Sequence, residues 1–145
     1  MIVDLLLNGL VLSTVLIVVA FVLSRFTRDI VGRSLLVIVL FIAALVYIVF
    51  AIRAGENSFW IVGELVGVSI YGTMGLLGLR GSPLWLAAGW ALHPLWDVGL
   101  HYFGPGYSFA PISYTIPCVS FDLLVGGYIA IAYGLGLVGG RRPAL

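Results

Sequence analysis

The sequence predicts an all-α fold, a polytopic membrane bundle of five transmembrane helices. Three observations carry this. Hydrophobic residues make up 62% of the 145-residue chain and charged residues only 9%, against about 25% charged in a soluble domain. Five stretches reach the roughly 20 mostly apolar residues that cross a bilayer core as a helix. None of them alternates with the period of two expected of barrel strands. The same composition excludes a soluble globular domain and a disordered chain. A net charge of +1 supplies no field for capturing nucleic acid. The length accommodates a single transmembrane domain over 1–145 and no separate soluble one.

The first predicted span covers about 2–24, with Asp4 at its edge and Asn8 one turn further in. Its start, Met1-Ile2-Val3-Asp4, has no basic segment, so it reads as a span rather than a cleaved signal peptide. Arg25, Arg28 and Asp29 mark the first turn. The second span, about 34–52, contains no acid or histidine and is expected as a lipid-facing wall. The third, about 60–79, carries Glu64 and is glycine-rich. Gly63 and Gly67 form a G-x-x-x-G pair that permits close helix approach, either within the bundle or in a homo-oligomer.

Arg80-Gly81-Ser82-Pro83 is a tight turn with proline where a helix's first turn tolerates it. The fourth span, about 83–103, is polar: His93, Asp97 and His101 follow an i, i+4, i+8 spacing among Trp85, Trp90 and Trp96. Pro94 removes one helix hydrogen bond and predicts a kink. Loop 104–115 holds two prolines and two glycines with Tyr107, Phe109 and Tyr114, and reads as an aromatic lid. The fifth span, about 116–138, carries Cys118 and Asp122 one turn apart. With a single cysteine, no internal disulfide can form.

Arginine placement predicts the orientation. Arg25, Arg28, Arg33, Arg80, Arg141 and Arg142 fall on one side and only Arg53 on the other. Positive residues stay cytoplasmic. The N-terminus is therefore expected outside, the C-terminus inside, in a multi-pass protein of the cell membrane, taken as a bacterial inner membrane.

Ionisable groups inside spans are costly and usually face an interior or a cavity. At about 1.5 Å of rise per residue, Glu64 lies roughly 6 Å below the outer surface, Asp97 and Asp122 roughly 9 Å, and His101 roughly 3 Å. Asn8 shares this layer, while His93 lies deeper, roughly 15 Å down. Groups from separate helices thus converge in the outer third of the membrane.

The segment 89–122 contains Gly89, Trp90, His93, Trp96, Asp97 and His101, then Pro111 and Ser113, then Cys118 and Asp122. This G-W-x-x-H-x-x-W-D-x-x-x-H and C-x-x-x-D pattern resembles a family of small bacterial integral-membrane proteins catalogued only as a domain of unknown function. The resemblance implies a membrane bundle and no activity.

Several chemistries fit these residues. Asp97, His101, Glu64 and Asp122 could hold a divalent metal, zinc or iron, since imidazole and carboxylate suit both. His93 and His101, roughly 12 Å apart along a helix, are not expected on one ion. Without a metal, carboxylates sharing a buried site repel, and one can retain a proton for acid–base work. In that reading Asp97 is the acid/base, Glu64 or Asp122 its partner and His101 a relay. His93, Trp90, Trp96, Asn8, Tyr107 and Cys118 line a pocket for an isoprenoid- or lipid-like molecule from the outer leaflet. Cation transport and a purely structural polar network are the other readings. The expectation taken forward is a small intramembrane enzyme with a carboxylate–histidine site.

Overall fold

The computed structural model describes residues 1–138. It is all-helical among those residues: α1 (Ile2–Phe26), α2 (Asp29–Arg53), α3 (Ser58–Arg80), α4 (Pro83–Trp96) and α5 (Ile112–Gly134), with a π-helical turn at Asp97–Tyr102 and a 3₁₀ turn at Pro105–Ser108. Each helix packs on its neighbours in the chain, and α1 closes the ring against α5. Helices α2 and α4 also touch across the middle. Short links enforce this antiparallel order. The Asn57 side chain accepts from the Phe59 and Trp60 amides at the start of α3. Ser82 caps α4 through the Leu84 amide, ahead of Pro83.

Four helices, α1, α2, α3 and α5, are long and apolar enough to cross a membrane. The fourth expected span is interrupted. Its regular part has 14 residues, about 21 Å at the α-helical rise, and the path continues through the π turn to Tyr102. Pro94 has no amide hydrogen to donate, so the ladder is already broken one turn before Asp97. It re-forms in wider register, as in Phe103 N–H to Val98 O at 2.9 Å.

Helix α2 starts five residues before the span expected from 34, because its early charges are matched. Arg33 pairs with Asp29 at 2.8 Å and donates to Gly78 O. The Tyr133 hydroxyl donates to Asp29 at 2.8 Å. This clasp ties α2 to α3 and α5. Helix α5 also begins earlier than expected, right after Pro111, which shortens the loop before it. Arg141 and Arg142 lie outside the described residues.

The expectation of α2 as a lipid-facing wall is overturned. Leu36, Leu40, Ala44, Tyr47 and Ala51 are all buried, while Ile38, Ile42 and Val49 face outward. Leu36, Leu40 and Ala44 join Leu86, Val125 and Ile129 in the apolar core. On α3, a Cβ at Gly67 would stand 2.9 Å from the Trp96 ring, and one at Gly75 would stand 2.9 Å from Val37. These glycines accommodate neighbours within the chain. Gly63 has open space beside it.

The α1–α5 seam is tightest at Gly9, where a Cβ would collide with the Pro117 carbonyl and Ser120 Oγ. Ser120 donates to Leu6 O at 2.7 Å across the same seam. Overpacking against backbone typically costs about 1–3 kcal/mol. Gly9→Val should therefore lower the thermal unfolding temperature in detergent, whereas Gly63→Ala should leave it unchanged. Equal unfolding temperatures for both variants would refute this account of the seam.

Candidate functional site

Glu64, His93, Asp97, His101 and Asp122 are each no more than 1% exposed. They come from α3, α4, the π turn and α5. A polar group in such a setting needs a partner within the protein, and the five sort into two sets. In the first, His93 Nδ1 and Asp122 Oδ2 share a proton across 2.8 Å. Asp97 Oδ2 lies 3.5 Å from the same nitrogen. In the second, His101 Nε2 and Glu64 Oε1 share a proton across 2.9 Å, and Trp96 Nε1 donates to Glu64 Oε2 at 3.4 Å.

The π turn is what separates the sets. An unbroken α-helix would carry an i, i+4, i+8 stripe steadily around its axis. The wider turn beginning at Asp97 sweeps less angle per residue, so it re-aims His101 toward α3 while His93 faces α5. The expectation that the two histidines do not share one ion agrees with this separation. Glu64 reaches His101 because Gly67, one turn further along α3, lets Trp96 lie flat against the helix.

Aromatic rings fill the space around both sets. Tyr47 of α2 stacks on His101 with centroids 3.8 Å apart and planes 6° from parallel. Tyr71 meets His93 edge-on at 4.7 Å and donates its hydroxyl to Leu92 O. Tyr47, Glu64, Tyr71, His93 and Trp96 border a gap with no room for a water molecule. Phe109 and Gly106 from the short loop before α5 close over His101. Neither Tyr47 nor Tyr71 was singled out from sequence. For Tyr47 a signal was present: Ala44 and Ala51 sit on its face at i−3 and i+4, marking a close-packed surface rather than a lipid-facing one.

Other expected pocket residues fall elsewhere. Trp90 is fully buried in the apolar core, against Phe121. Tyr107 is 58% exposed and borders a shallow surface hollow with Arg53 and Phe50. Asn8 and Cys118, by contrast, share a groove of about 550 Å³ between α1, α2 and α5. Leu12, Val39 and Ala43 are among the apolar residues lining this groove, and the buried Asp122 borders it as well. Asp122 is therefore common to the groove lining and the His93 pair.

Four buried polar positions in the first set have no hydrogen-bond partner: both Asp97 oxygens, Asp122 Oδ1 and His93 Nε2. The ligand atoms of His93, Asp97 and Asp122 all lie within 4.8 Å of one another. That donor set, one imidazole and two carboxylates, is compatible with a divalent metal as well as with proton transfer.

A family model covers residues 8–135 of the chain. The chain belongs to DUF6010, a family of unknown function. The match spans all five helices and includes every residue of both sets. Neither the curated proteins nor the solved structures yield a match.

Glu64 is the sole hydrogen-bonding partner found for both His101 Nε2 and Trp96 Nε1 among the described residues. Leaving buried donors unsatisfied costs about 1–3 kcal/mol. Glu64→Ala should consequently unfold at clearly lower temperature than Glu64→Gln, which keeps an acceptor for one of the two. Indistinguishable melting curves would show that the pair contributes nothing to stability.

Proposed function

We propose that this chain is a small intramembrane enzyme that transforms a lipophilic, isoprenoid- or lipid-like molecule by acid–base chemistry. The observation that carries the reading is the groove between α1, α2 and α5. Its lining is mostly apolar, and it includes a buried carboxylate hydrogen-bonded to a histidine. Such a shape suits a hydrophobic ligand with one reacting position placed against Asp122.

The roles follow from access. Asp122 is the group in reach of a groove ligand, and His93 is its proton partner at 2.8 Å. Asp97 acts through His93 rather than on the ligand directly. A proton delivered to one carbon of an alkene, and another removed from a neighbouring carbon, shifts the double bond with no net gain or loss of electrons. Tyr114 and Phe121 border the same groove and offer ring faces to a transient carbocation. The Glu64–His101 pair, sealed under Phe109, holds the helix carrying the site in register.

The arginine bias supports an N-terminus outside and a C-terminus in the cytoplasm of a cell membrane. Arg25, Arg28, Arg33 and Arg80 share one end of the bundle and Arg53 the other. In that orientation the groove, lined by the first halves of α1 and α5, opens to the outer leaflet.

The test is chemical. Protein extracted in mild detergent should retain a hydrophobic small molecule detectable by mass spectrometry. Ala43→Trp, which fills the groove, should lose it. The recovered compound, added back, should be converted by the wild type and not by Asp122→Asn. Equal retention by Ala43→Trp, or no conversion by the wild type, would overturn the reading.

A further inference from the structure

We infer that His93, Asp97 and Asp122 form a binding site for one divalent transition-metal cation, zinc or iron(II). This deepens the proposed function, on whose reading of these residues as a functional site it rests. The first observation is the ligand geometry. His93 Nδ1 lies 2.8 Å from Asp122 Oδ2 and 3.5 Å from Asp97 Oδ2, and all three ligand atoms fall within 4.8 Å of one another. Atoms bound about 2.0–2.2 Å from zinc at tetrahedral corners stand about 3.3–3.6 Å apart. The triangle therefore brackets the dimensions of a single first-row ion.

The second observation is independent of the cluster's shape. Asp97 is fully buried, and neither carboxylate oxygen has a hydrogen-bond partner. The Tyr47 hydroxyl is near enough to interact with this carboxylate, but no partner meets full hydrogen-bond geometry with either Asp97 oxygen or with Tyr47 Oη. Asp122 Oδ1 is also unpartnered. A buried carboxylate with two free oxygens is strongly disfavoured unless something positive or proton-donating meets it. No arginine pairs with Asp97, Asp122 or Glu64 among the described residues, where the one arginine ion pair is the partly exposed Arg33 with Asp29.

The charge balance points the same way. A neutral imidazole with two ionised carboxylates carries two negative charges, which one divalent cation cancels. Three protein ligands leave a coordination position open, as in catalytic rather than structural zinc sites. Since Asp122 also borders the groove, that position is available to a polar atom of a groove ligand. His101 and Glu64 are not part of this cluster of ligand atoms.

The experiment uses full-length protein in detergent, loaded with zinc or, without oxygen, with iron(II), then freed of excess ion and analysed for metal. The wild type and Glu64→Gln should each hold about one equivalent of metal, since binding requires the complete ligand set. Asp97→Asn and His93→Gln should fall at least about tenfold. X-ray absorption of the zinc-loaded wild type gives a check that needs no variant: nitrogen and oxygen neighbours at about 2.0–2.1 Å and no sulfur. Metal content below about a tenth of an equivalent, retention in Asp97→Asn, or a sulfur neighbour implicating Cys118 would each overturn the site. A groove lipophile that persists and is converted without metal sinks the cation alone. Stoichiometric metal with no lipophile in the groove sinks the enzyme reading alone.

Discussion

Polar side chains buried among apolar helices impose one constraint on this molecule: their protons and charges must be met from within the bundle. The five ionisable groups are sealed from solvent, and the arginines among the described residues lie at or near the ends of their helices. The architecture answers by bringing acid and imidazole together from different helices. Asp122 reaches from α5 to His93 on α4, and Glu64 reaches from α3 to His101 beyond the π turn. Each pair cross-links two helices, so the polar residues organise the packing as well as the chemistry. The apolar core, built around Leu36, Leu86, Val125 and Ile129, supplies the dry surroundings that make those pairs strong.

Much of this arrangement was legible in the sequence. Hydrophobic run length gave the helices, and the rarity of charge drew attention to Glu64, Asp97, His101 and Asp122. The turn before α4 announced itself through Gly81 and Pro83. The fate of the fourth helix was only half visible. Pro94 signalled a disturbance, but whether the ladder kinks, breaks or widens depends on the neighbours that the rest of the helix must meet. Here it widens, and that decides which acid each histidine faces. A straight-helix stripe assigns His93 and His101 to one face and cannot distribute them between α5 and α3.

The reading of α2 failed for a related reason. Polarity was used as the marker of an inward face, and α2 has no acid or histidine to mark one. In a membrane bundle the inward face is equally marked by small residues, because close approach rather than hydrophobicity separates inside from lipid. Ala44, Tyr47 and Ala51 make such a face. Tyr47 is conspicuous there, since a hydroxyl among alanines on an otherwise aliphatic helix has no simple place at a lipid surface.

Tyr47 lies between the two polar sets. Its ring is parallel to His101 at 3.8 Å and 6.4 Å from His93, and its hydroxyl faces Asp97. No other aromatic ring of α2 pairs with either histidine ring among the described residues. The two histidines therefore have different exposure to chemistry despite their shared helix. His93 reaches the groove through Asp122, while His101 is closed in by Tyr47, Phe109 and Glu64. The Glu64–His101 bond ties the π turn to α3, and the His93–Asp122 bond ties the helix before it to α5. The segment that carries Asp97 is thus anchored on both sides, by two independent cross-links.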